Sequence, residues 1–197
     1  METLKSPTGM QIRVFEDVDA LATAFAEGLT TFINRRLEQV PEFSLMLTGG
    51  RSVGPLYARL TDPQWAGSVD WTRVKVFWGD ERTVPPDSED SNYRLAWESW
   101  LQHGAVPESN IFRMRGEADP PEAAKEYAQI LGEQMSSGPG NFPELDLILL
   151  GMGDDGHVAS LFPGTRALDE DKVAVVANLV PQLDTMRLTV TFPVLNA

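Results

Sequence analysis

Three short apolar runs, each closed by glycine, constrain this chain more than any other feature. Residues 43–47 stop just before Gly49-Gly50, residues 74–78 stop at Gly79, and residues 145–150 stop at Gly151. A run such as Leu147-Ile148-Leu149-Leu150, apolar on successive positions, needs cover on both faces, which is the condition of a parallel strand between helix layers. The third run reads as the most buried strand of the sequence.

Helical patterns fall between the runs. Val18, Leu21, Phe25, Leu29, Phe32, Ile33 and Leu37 recur at spacings of three and four behind Asp17, an N-cap residue. Leu56, Tyr57 and Leu60 suit a short helix, residues 92–101 another, and residues 121–135 a third, with proline at its start and Ser-Gly-Pro-Gly behind it. Residues 11–15, 173–176 and 187–192 read as further strands, the last two separated by a turn around Pro181. The alternation predicts one α/β domain over residues 1–197, a mostly parallel sheet with helices on both faces. With no linker long enough to divide it, a chain of 197 residues that is 42% apolar can fill one core.

Charge and composition remove whole classes of function. Sixteen Lys and Arg against 29 Asp and Glu give a net charge of −13, and no basic run interrupts the acidity. Nucleic-acid and anionic-membrane partners both need a basic footprint, so neither is expected. A small anion remains feasible if its pocket is locally positive. Without cysteine there is no thiol nucleophile or thiolate metal site, and His103 and His157 are the only imidazoles. No metal site is expected. The N-terminus has no apolar leader and no stretch approaches a membrane span, which predicts a cytoplasmic protein.

Ligands of open parallel sheets bind beyond the carboxyl ends of the strands. Three loops qualify: 48–54, 79–92 and 151–163. In the first, Gly49 and Gly50 can turn backbone amides toward a phosphate at a helix start, with Arg51 and Ser52 beside them; an unliganded tight turn is the plainer reading. The same residues, Gly50-Arg51-Ser52-Val53-Gly54, match the G-x-S-x-G elbow of serine hydrolases, with Asp80 or Asp146 as orienting acid and His157 as base. In the second loop, Gly79-Asp80-Glu81-Arg82 offers a guanidinium that can grip phosphate, or a solvated ion-pair turn. Ser91-Asn92 suits a helix cap. In the third, Gly151-Met152-Gly153-Asp154-Asp155-Gly156-His157 brings an imidazole among glycines directly after a strand. An imidazole titrates near neutrality and suits a general base, and Asp155 can orient it; a histidine bonded only within its loop is the alternative. His103, behind a helix, is assigned no function.

The chain resembles the 6-phosphogluconolactonases of the pentose phosphate pathway over nearly its whole length. The resemblance rests on Leu47-Thr48-Gly49-Gly50 with Ser52, on Trp78-Gly79-Asp80-Glu81-Arg82 followed by Ser91-Asn92-Tyr93, and above all on the block from Gly151 through His157 to Thr165. Glucosamine-6-phosphate deaminases share the glycine turn and Asp-Gly-His, but Arg82 and Ala159-Ser160-Leu161-Phe162-Pro163 favour the lactonases. The resemblance implies a Rossmann-like sheet and hydrolysis of 6-phospho-D-glucono-1,5-lactone to 6-phosphogluconate without a required metal or organic cofactor. It implies His157 as base, Arg82 with the turn of Gly49, Gly50, Arg51 and Ser52 at the 6-phosphate, and Gly153 or neighbouring amides at the carbonyl oxygen. A binding module without turnover and a serine esterase using Ser52 are the alternatives.

Three departures stand out. The first loop reads Gly-Gly-Arg-Ser-Val where the family often has Gly-Gly-Ser-Thr-Pro. Val158 replaces a frequent threonine. The sequence stops at Ala197, where relatives usually continue into a strand, a Gly-x-x-Lys turn and a helix. The expectation is a chain shortened at this end, lacking a phosphate-facing lysine and weakened or inactive if nothing replaces it. Oligomeric state and any role of Arg51 are left open by the sequence.

Overall fold

The computed structural model describes residues 2–104 and 106–197. Strands β1 (Glu2–Lys5) and β2 (Gln11–Val14) form an exposed antiparallel hairpin. Helix α1 (Val18–Leu37) follows, capped by Asp17, whose Oδ1 accepts the Ala20 N–H at 2.8 Å. Its buried face runs through Ala22, Ala26, Leu29, Ile33 and Leu37. Val18, Leu21 and Phe32 of the expected stripe are exposed. The contact face is thus rotated onto the two alanines, whose small side chains permit close approach.

Strands β3 (Phe43–Leu47), β4 (Val74–Trp78) and β6 (Leu147–Ile148) form a parallel sheet with β3 in the centre. Between β3 and β4 lie α2 (Gly54–Arg59) and α3 (Pro63–Ala66). The short strand β5 (Asp80–Arg82) continues β4 through Gly79, whose N–H donates to Leu47 O at 3.0 Å and whose carbonyl accepts from Val190 N at 2.9 Å. In a regular strand a residue's N–H and carbonyl face the same neighbour, whereas those of Gly79 face different ones. Gly79 is therefore where the chain passes from pairing with β3 to pairing with β8 (Thr185–Val190), which also pairs with β7 (Val175–Val180).

Helix α4 (Asn92–Ser99) follows β5, α5 (Pro120–Gln134) precedes β6, and α6 (Phe192–Leu195) follows β8. The pleat sends alternate residues to opposite faces. Leu45, Leu47, Val76 and Trp78 pack with α1, α2 and α4, whereas Met46 and Phe77 pack with α5, β7 and β8. The α/β class with helices on both faces is therefore present.

Two details differ from expectation. Only Leu147–Ile148 of the third run are strand, and both are half-buried, since among the described residues β6 pairs with β3 alone. Among the described residues, parallel pairing between strands is confined to β3, β4 and β6, with one isolated parallel bridge from Val76 to Ile111. The last two strands span 175–180 and 185–190 and run antiparallel, because residues 181–184 reverse the chain tightly, with Asp184 at φ 46°. So short a connection cannot make the crossover that parallel neighbours require. Among the described residues no helix is long and apolar enough to cross a membrane.

Candidate active site

Two buried tyrosines fix the points where the loops leave the sheet. The Tyr57 hydroxyl bonds both the N–H and the carbonyl of Thr48, at 3.1 and 2.8 Å, and the Tyr127 hydroxyl does the same for Trp78, at 2.8 and 3.2 Å. Burial pushes both phenols well above their ordinary pKa, so they remain neutral partners for the backbone. Beyond these anchors the three loops line an open cavity of about 800 Å³. Gly49, Gly50, Arg51, Ser52, Arg82, Gly153, Asp155 and His157 all line it. His103 lies elsewhere, exposed behind α4.

The imidazole is held on three sides. Asp155 Oδ1 lies 2.5 Å from His157 Nδ1 and also accepts the His157 N–H at 3.2 Å. The ring stacks on Phe162 at 3.9 Å between centroids and lies against Gly153, where a β-carbon would collide with it. An ionised carboxylate only accepts, so the Nδ1 proton faces Asp155 and the Nε2 lone pair is free to take a proton. The hydrogen bonds from His157 hold the Asp155 carboxyl below its ordinary pKa.

Gly153 contributes differently from expectation. Its N–H donates to the His157 carbonyl at 2.9 Å and is not available to a substrate oxygen. Its role is to leave room for the ring. The first loop does present open donors: among the described residues, the N–H groups of Gly49, Gly50, Arg51 and Ser52 have no hydrogen-bond partner. Helix α2 is only six residues long, so these amides rather than a helix dipole are what the turn offers an anion.

The elbow reading fails on geometry. Ser52 is exposed and is not among the residues with positive φ, so the strained nucleophile turn is absent. Asp146 lies at the opposite end of the sheet, bonded to Ser44 and Arg36. Asp80 bonds Ser160, whose Oγ donates to its Oδ2 at 2.7 Å. Neither acid meets His157.

Nor is the second loop a solvated ion-pair turn. Asp80 and Glu81 are buried, and burial raises both carboxyl pKa values. Glu81 accepts the N–H groups of Arg82, Asn92 and Tyr93 at 2.7–2.8 Å, securing the start of α4. Ser91 caps that helix, accepting the Arg94 N–H at 3.1 Å. Asn92 does more than cap. Its Nδ2 donates to the Asp80 carbonyl and carboxylate at 3.0 and 3.2 Å, and its amide abuts Gly49. Ser160 in turn donates its N–H to Thr189 Oγ1 at 3.2 Å and accepts from Asn178 at 2.9 Å. Asp80 thereby ties all three loops to β8.

Sequence reasoning missed Asn92 and Ser160 as parts of the site, and missed Arg187 entirely. Arg187 lies on β8, opposite Arg82, and lines the same cavity. No local motif marks it; only strand register brings it there.

A mixed α/β sheet whose carboxyl-end loops gather one carboxylate-oriented imidazole, free amides and two guanidinium groups defines an enzyme for a small anionic substrate. The family model for glucosamine-6-phosphate isomerases/6-phosphogluconolactonase matches residues 16–197, and the chain belongs to that family. It is 38% identical over 188 residues to a 6-phosphogluconolactonase of Nostoc sp., covering 94% of this chain and 75% of that one. Against a 6-phosphogluconolactonase of Synechocystis sp. it is 41% identical over 170 residues, covering 85% and 68%. The crystal structure of 6-phosphogluconolactonase from Thermotoga maritima superposes with a TM-score of 0.79 at 28% identity, covering 93% of this chain and 78% of that one. The crystal structure of devB protein gives a TM-score of 0.84 at 32% identity, covering 94% and 75%.

Proposed function

We propose that the protein hydrolyses 6-phospho-D-glucono-1,5-lactone to 6-phosphogluconate, with His157 as general base. The carrying observation is the imidazole itself: its Nδ1 is engaged by Asp155 and its ring lines a cavity shared with Arg82. A water beside Nε2 gives up a proton as its oxygen attacks the lactone carbonyl carbon. The tetrahedral intermediate then expels the ring oxygen, which takes the proton back from the imidazolium. No atom is left over, so neither metal nor organic cofactor is part of the reading. General-base help of this kind supplies ~10²–10⁴ in rate. That range suits an activated ester.

The 6-phosphate is assigned to Arg82 and the free amides of residues 49–52. Arg82 already donates to the Asp90 carbonyl at 2.6 Å, which steadies its guanidinium while its other donors remain for the ligand. The assay is lactone loss in a pH-stat, corrected for spontaneous hydrolysis, with glucosamine 6-phosphate turnover measured alongside. His157→Ala should abolish catalysed hydrolysis and still bind 6-phosphogluconate. Undiminished turnover in that variant would remove the mechanism, and turnover of the amino sugar alone would move the chain to the other branch of its family.

A further inference from the structure

Strands β5 and β8 run antiparallel with Arg82 directly opposite Arg187. Side chains at opposed positions leave the same face of a sheet, and like charges placed so repel. Both arginines line the cavity. Among the described residues neither takes part in an ion pair, in a chain whose acids outnumber its bases 29 to 16. Arg82 at least donates to Asp90, but the Nε of Arg187 is buried with no partner. Burial, and then the Arg82 charge, lower the Arg187 pKa, with Asp80 opposing them. A buried, unpaired donor beside a like charge is costly in an empty site. An anion held between the two guanidiniums in that cavity offsets the repulsion between them.

We propose that Arg187 is a second phosphate ligand, which with Arg82 clamps the 6-phosphate from two paired strands and makes the site specific for phosphorylated sugars. The inference rests on the lactonase reading for the identity of the sugar, and on Arg187 alone for the clamp. Two forks held by one ladder keep a fixed separation, so the phosphate is met by donors already in place. The sugar then extends toward His157.

The test uses Arg187→Met, which keeps an apolar stem, and Arg187→Lys, which keeps the charge without the fork. Calorimetry with inorganic phosphate and with 6-phosphogluconate should show Kd raised about 10- to 100-fold in Arg187→Met, and raised less in Arg187→Lys. KM for the phospholactone should rise in parallel while kcat stays near the wild-type value. Thermal unfolding in phosphate-free buffer should show Arg187→Met at least as stable as the wild type, and inorganic phosphate should stabilise only the wild type and the lysine variant. Unchanged Kd in Arg187→Met, or a fall in kcat at constant Kd, overturns the clamp. If the wild-type protein binds phosphate through Arg187 yet hydrolyses no lactone, the clamp stands and the lactonase reading fails.

Discussion

The side-chain amide of Asn92 fills the space in which a β-carbon on Gly49 would lie. One loop after β3 and another after β5 therefore interlock through the absence of a side chain. Gly49→Ala should cost about 1–3 kcal/mol of unfolding free energy, the usual range for overpacking a filled site, and should lower lactonase activity by displacing Asn92. Asn92→Ala removes the obstacle, so the double variant should be less destabilised than the two single losses added together. Denaturant unfolding of all four proteins gives the coupling; strict additivity would show that the two residues do not meet.

Asp155 bonds the imidazole of His157, so its loss should appear in kcat. Asp155→Ala should lower kcat, by less than the ~10²–10⁴ expected of His157→Ala, with KM nearly unchanged. Steady-state kinetics on the phospholactone separate the two. A rise in KM at constant kcat would place Asp155 on the substrate instead.

Asp80 links stability to pH with a definite sign. Burial raises its pKa in the folded protein, with Ser160, Arg82 and Arg187 opposing. In the window between the unfolded and the folded value the native state holds the extra proton, so the stability Asp80 contributes is present below that window and is lost as pH rises through it. An asparagine at this position does not titrate and can still bond Asn92 and Ser160. The unfolding free energy of the wild type relative to Asp80→Asn should therefore fall as pH rises from about 4 toward neutrality. Chemical denaturation at several pH values checks the slope, and a rising difference would contradict the burial argument.

Ala159, two residues from His157, has φ 48°, a left-handed conformation that costs an alanine about 1 kcal/mol. Its position is set by Ser160, which Asp80, Thr189 and Asn178 hold in place. Ala159→Gly relieves the strain but frees the unfolded chain, so the net stability change should lie within about 1 kcal/mol. The looser loop should lower kcat. Thermal melts and kinetics on one preparation test both parts, and an unchanged kcat would show that the strain has no bearing on the imidazole.

The apolar runs at 43–47 and 74–78 mark β3 and β4 to the residue, because strands covered on both faces leave little freedom in which positions can be polar. Asp17 marks the start of α1, and the glycines around His157 mark a turn, since capping and tight reversal are local chemistry. Such features depend on neighbours in the chain and can be read from it. The run at 145–150 was legible as strand but not as edge, because nothing in its own composition says how many neighbours it has. The Gly153 amide looked available until the loop closed it onto the His157 carbonyl. Arg187 carries no motif; its place beside Arg82, 105 residues away in the sequence, comes from the register of β5 against β8. Register, packing and the spending of each backbone donor are relations between distant segments, and only their meeting in three dimensions assigns them.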